Sequence, residues 1–145
     1  NPSWHTQTAG GLLQVVTATD NTGRSTSSTS YVTASNTMSV NITPSSTSSK
    51  IYINVTGNLY NDTSGYAKAS IYRDGTTNLG NGDRGLTNVY TNPNDTGVGL
   101  SMSYLDSPNT TSQVNYQVYI LSTTGNATLN ENNNRGVITA FEIGV

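Results

Sequence analysis

The chain has 145 residues, with six Lys and Arg, eight Asp and Glu, and a net charge of −2. That length carries one domain with a real core, and six scattered cations make no basic stripe to neutralise phosphates, so nucleic acid is not an expected partner. Cysteine is absent, which excludes disulfides and thiolate metal sites, and no apolar run nears 18 residues, so no helical membrane span is expected.

Charged residues make up 10 % of the chain, against about 25 % in an ordinary domain. Ser, Thr and Asn carry the polarity instead. Such a composition suits disorder, but nine Tyr and regularly spaced apolar runs argue for a packed fold. The first eleven residues, NPSWHTQTAGG, show no alternation and end in Gly10-Gly11. They read as an N-terminal connector or attachment arm over 1–11, ahead of a single domain over 12–145. Trp4, the one Trp, is either a tether lying on its own domain or an anchor into another protein. The chain opens on Asn1 rather than Met, which reads as a piece of something longer.

LLQVVTAT (Leu12 to Thr19) is the first predicted strand. The Ser/Thr-rich stretch from Ser30 to Val55 resolves into two more. Met38, Val40 and Ile42 alternate with polar residues, as do Ile51, Ile53 and Val55. Period two with one apolar face is a half-buried strand. The TPSSTSSK segment between them is a loop, with Pro44 at the strand end. AKASIYR (Ala67 to Arg73) follows and ends at Asp74-Gly75, a strong turn pair. GLTNVY (Gly85 to Tyr90) is shorter. VGLSMSYL (Val98 to Leu105) places Val98, Leu100, Met102 and Tyr104 on one face. VNYQVYIL (Val114 to Leu121) places Val114, Tyr116, Val118 and Ile120 on one face, with Tyr119 and Leu121 on the other. ATLNEN (Ala127 to Asn132) is a weak candidate after the Thr124-Gly125-Asn126 turn. GVITAFEI (Gly136 to Ile143) places Val137, Thr139, Phe141 and Ile143 on one side. About eight short strands without helical periodicity predict an all-β, jelly-roll-like β-sandwich. The immunoglobulin alternative lacks its Cys-Trp-Cys framework.

The chemistry-bearing residues are sparse. His5 is the sole histidine and sits in the connector, and no G-x-S-x-G occurs. A glycosidase needs two carboxyls across a cleft. The acids are Asp20, Asp62, Asp74, Asp83, Asp95, Asp106, Glu131 and Glu142, and most of the Asp lie in turn-like contexts. The chain is therefore not expected to be an enzyme, nor to use a cofactor. Asp74, Asn78, Asn81 and Asp83 in DGTTNLGNGD offer oxygen ligands of the kind Ca²⁺ takes, without the order of an EF-hand, and turn chemistry is the alternative. Six N-x-[ST] triplets occur, at Asn41, Asn54, Asn61, Asn94, Asn109 and Asn126. With 19 Asn, and 42 Ser or Thr among 145 residues, chance alone gives about 5.5. Most Tyr lie in or beside strands. They serve core and interface packing, or sugar stacking at loop positions such as Tyr60 and Tyr90.

LLQVVTATDNTGRSTSSTSYVTASNTMSVNITPSSTSSKIYINV, SYLDSPNTTSQVNYQVYI and GVITAFEI together resemble a module family of phage virion proteins, over Leu12 to Ile143. The resemblance implies a module on the virion surface, often at the end of a tail fibre or other appendage, and usually a homotrimer. Its partners would be other virion proteins and, for host attachment, a surface glycan. The motif marks core strands and turns, so it assigns no receptor-binding residue. It leaves a capsid decoration role, as cement or head fibre, beside the tail-fibre one, and a polysaccharide-acting enzyme as a third alternative. Few charges fit a particle exposed to varied salt.

Overall fold

The structure is a computed structural model that describes residues 10–92 and 96–145. His5, Trp4, Asp95, Asn94 and nearly all of the predicted connector lie outside the described residues. The chain is all-β, in two antiparallel sheets.

The described residues form eleven strands: β1 (Gly11–Asp20), β2 (Arg24–Thr26), β3 (Ser39–Ile42), β4 (Lys50–Asn61), β5 (Gly65–Arg73), β6 (Thr77–Asn78), β7 (Thr87–Thr91), β8 (Thr96–Asp106), β9 (Val114–Ser122), β10 (Ala127–Leu129) and β11 (Gly136–Gly144). Three of them, β2, β6 and β10, are only two or three residues long. One 3₁₀ turn, Glu131–Asn133, occupies the end of the predicted ATLNEN strand.

The first sheet runs β1-β11-β4-β10-β2, with β8 on the other edge of β4. The second runs β3-β9-β5-β6, with β7 also on β5. At twelve residues β4 is the longest strand. It pairs along almost its whole length with β8, while β11 and β10 share its opposite edge.

The core lies between the sheets. Ile51, Ile53 and Val55 are fully buried, as the alternation predicts, and meet Ile71, Val118 and Ile120 of the second sheet in one apolar cluster. Burying an Ile or Val side chain stabilises by about 1.5–3 kcal/mol. Leu100 and Met102 join the cluster, whereas Val98 and Tyr104, on the same face of β8, run past it into solvent. The Asp74-Gly75 pair turns β5 into β6 with positive φ at both residues, the backbone that a type I′ turn needs. Gly136 has a structural reason to be glycine. A Cβ there would collide with Met38 Sδ and with the amide of buried Asn130.

In β11 the residues turned into the core are Ile138, Ala140 and Glu142. Val137, Thr139, Phe141 and Ile143 are the outer face. The reason is pairing. Residues opposite each other on neighbouring strands share a face, and Ala140 is opposite Ile53 while Phe141 is opposite Tyr52. Ile53 commits Ala140 to the core, and the more apolar side of β11 is left outside.

Candidate functional site

Among the described residues three carboxylates are buried, and each accepts several hydrogen bonds. Glu142 accepts from Gln14 Nε2 at 2.6 Å, Ser45 N at 2.6 Å and Ser45 Oγ at 2.7 Å. Burial alone would raise its pKa, but the hydrogen bonds from Gln14 and Ser45 outweigh it and hold the carboxyl at about 2. Asp106 of β8 accepts from Arg73 Nη1 of β5, at 2.8 Å to each oxygen, and from Tyr116 OH of β9 at 2.7 Å. Burial, reinforced by the adjacent Asp106, pushes the Tyr116 hydroxyl well above the usual phenol range, so it stays a proton donor. Asp20, at the end of β1, accepts from Arg24, from Thr22 N and from Thr37 N. Desolvation opposes ionisation there, and these bonds overcome it, leaving its pKa below the ordinary value.

These groups act as clasps. Asp106 joins the two sheets directly, and Glu142 and Asp20 tie the first sheet to the segments flanking β3. Charge-assisted hydrogen bonds contribute about 1.5–3 kcal/mol each. A carboxylate whose lone pairs are filled in this way is an anchor rather than a proton shuttle.

Two acids nearer the surface are also engaged. Asp62 accepts from the backbone and side-chain amides of Asn126, first the backbone one, and its pKa is lowered. Asp83 accepts from Lys68 Nζ at 2.9 Å, which lowers its pKa.

The structure does not bring the four oxygen-bearing residues of the Asp74–Asp83 loop to one point. Asp74 Oδ1 accepts from Asn115 N, Asn78 Oδ1 accepts from Ser70 Oγ and Gly80 N, and Asn81 Oδ1 accepts from Asp83 N and Arg84 N. These are Asx-turn bonds and clasps onto β5 and β9. Among the described residues no three of the His, Asp and Glu side chains are grouped to hold a metal ion.

Tyr60 and Tyr90 are in strands β4 and β7, not in loops. Tyr90 is 54 % exposed, and its ring lies 4.8 Å from that of Tyr66, against which Arg84 also stacks at 4.8 Å. A second cluster, on the same outer face of the second sheet, stacks Tyr72 on Tyr119 at 4.1 Å and sets Tyr31 beside Tyr72 at 5.8 Å. Burial raises the Tyr31 pKa to about 12. Leu121, the other outward residue expected on β9, is buried within the single chain. The outer side of β9 is thus partly covered by its own chain, with Tyr119 half-buried.

The outer face of the first sheet is different. Its strand register lines up Val15, Phe141, Tyr52 and Leu105 in one row across β1, β11, β4 and β8. The rings of Tyr52 and Phe141 touch, with centroids 6.0 Å apart. Val15 and Leu105 are 48 % and 53 % exposed. The adjoining row begins at Leu12, opposite Ile143, and a register shift before Gln14 adds Leu13 beside it. Leu12 and Leu13 are 61 % and 51 % exposed. Sequence reasoning missed this surface because its members come from four separate segments, and only the register assembles them.

Of the sequon residues, Asn61 is fully buried in β4 and so closed to a glycan. Asn54 faces the half-exposed side of the same strand.

No protein-family model matches this chain, and no curated protein matches it.

Proposed function

We propose that this chain is a structural module of a phage virion, a jelly-roll-like domain carried on a tail fibre or another exposed appendage. It works by binding and assembly, as a homotrimer that presents its loops to the host surface. The observation that carries this reading is where the resembling segments fall. They supply β1, β2, β3, the first half of β4, the end of β8, most of β9 and β11, and four of these strands present the outward apolar rows. A surface of that kind functions by burial against another protein. Its chemistry fits assembly, and the hydrogen-bonded carboxylates fit a scaffold.

Host recognition belongs to the loops and to the exposed Tyr90 of the second sheet, since Tyr pairs an apolar face with a polar tip. The purified chain is expected to compete with phage for adsorption to host cells, and cells stripped of surface glycan are expected not to bind it. Undiminished adsorption at saturating chain would count against receptor binding.

The second reading is capsid decoration, as a cement or head-fibre protein. The same apolar face favours it, because such a face also seats a domain on a capsid lattice. In that role the chain would leave host adsorption unaffected.

A further inference from the structure

The four strands β1, β11, β4 and β8 carry four charged residues on the inward face or at their ends, and none in the apolar row. Asp20, Asp106 and Glu142 are buried inward. Lys50 is half-buried and donates to Ser107 Oγ at 2.7 Å. The row of Val15, Phe141, Tyr52 and Leu105 is therefore neutral. Thr17, Thr139, Asn54 and Ser103 form the next row across the same strands, and on the other side Lys50, opposite Ile143, is the one charge of this outer face. An apolar centre with a largely uncharged rim is the anatomy of a protein interface.

Size and charge say what covers it. Four strands at the usual spacing and rise make a face of roughly 20 Å by 30 Å. With its side-chain relief, that approaches the ~800 Å² that one partner contributes to a standard interface. A symmetric assembly sets equivalent groups of two copies close together around the axis. Charged faces resist that through like-charge repulsion, and this face has no charge in its centre to repel. A strongly charged partner would find only Lys50, at the edge of the face, to read. The outer face of the second sheet is a poorer candidate, since its apolar residues are already stacked on one another or buried.

We infer that a second copy of this chain packs on the outer face of β1, β11, β4 and β8, with Val15 and Leu105 at the two ends of the contact. The inference rests on the assembly reading above and names the surface that performs it.

The chain has no cysteine, so a single introduced thiol reports one position. Light scattering should show an oligomer for the natural chain and a monomer for the Val15→Lys, Leu105→Lys double variant. An Asn88→Lys control on the exposed side of β7 should remain oligomeric, and all three should share one circular dichroism spectrum. Alkylation of Leu105→Cys should be at least tenfold slower than that of Asn88→Cys, and should speed up on dilution. This second measurement decides the matter if the double variant fails to fold. An oligomer in which Leu105→Cys reacts as fast as Asn88→Cys, or which survives both lysines, overturns this surface and leaves assembly standing. A natural chain that is monomeric at every concentration overturns both. Protection of Leu105→Cys in a monomer, lost on deleting residues 1–9, would assign the face to the chain's own N-terminal segment and overturn the inference.

Discussion

Replacing Glu142 by Gln tests the inward face of β11 and the clasp it creates. Glu142 is 1 % exposed, and its carboxyl is held at about 2 in the folded chain against an ordinary 4.5. A depressed carboxyl pKa favours the folded state above the unfolded value. That stability is complete above about pH 5 and is lost as pH falls towards 2. At 1.36 kcal/mol per pKa unit, the shift corresponds to about 3 kcal/mol. For a chain of this size that is roughly 6–12 °C of melting temperature. The assay is a urea midpoint measured from pH 2 to pH 7 on the natural chain and on Glu142→Gln, at one fixed concentration because association adds to apparent stability. The variant is expected to be weaker by about 3 kcal/mol at pH 7 and to converge on the natural chain near pH 2. Asp20 also has a lowered pKa, but it titrates in both proteins, so the difference between them isolates Glu142. Parallel curves across the whole range would refute the reasoning, because they would mean that Glu142 faces solvent and Phe141 the core.

Two further outcomes follow from the described contacts. Ile53→Asp would bury a charge opposite Ala140 and Tyr104 and should cost several kcal/mol, roughly; an unchanged melting temperature would contradict the register of β4. EDTA should leave the melting temperature unchanged, since the Asp74–Asp83 side chains are bonded to Asn115, Ser70 and Lys68; a fall of several degrees, restored by Ca²⁺, would contradict that reading.

The strands were legible because period two survives a Ser- and Thr-rich composition, as Met38, Val40, Ile42 and Ile51, Ile53, Val55 show. The continuation of β4 to Asn61 was not, because Gly57 and Asn58 interrupt the alternation while β8 still pairs across them. Short β2 and β6 carry no pattern of their own and exist by pairing with β10 and β5. Which face of β11 turns inward was not legible, because its more hydrophobic side is the outer one. Nothing local marks Glu142 as buried, since its donors Ser45 and Gln14 lie 97 and 128 residues away. The clasp of Arg73, Asp106 and Tyr116 was invisible for the same reason. A sequence read strand by strand also cannot align Val15, Phe141, Tyr52 and Leu105, so the apolar surface appears only once the register is known. The second face of β9 drew attention instead, and the chain partly covers that face itself.

The most direct test of the account is the number of copies of this chain in purified phage particles, measured by quantitative mass spectrometry against the major capsid protein. A tail-fibre or appendage module is expected to be present, at a level far below the capsid protein. Absence from the particle would contradict the virion reading altogether, and near-equal stoichiometry would contradict the appendage reading in favour of capsid decoration.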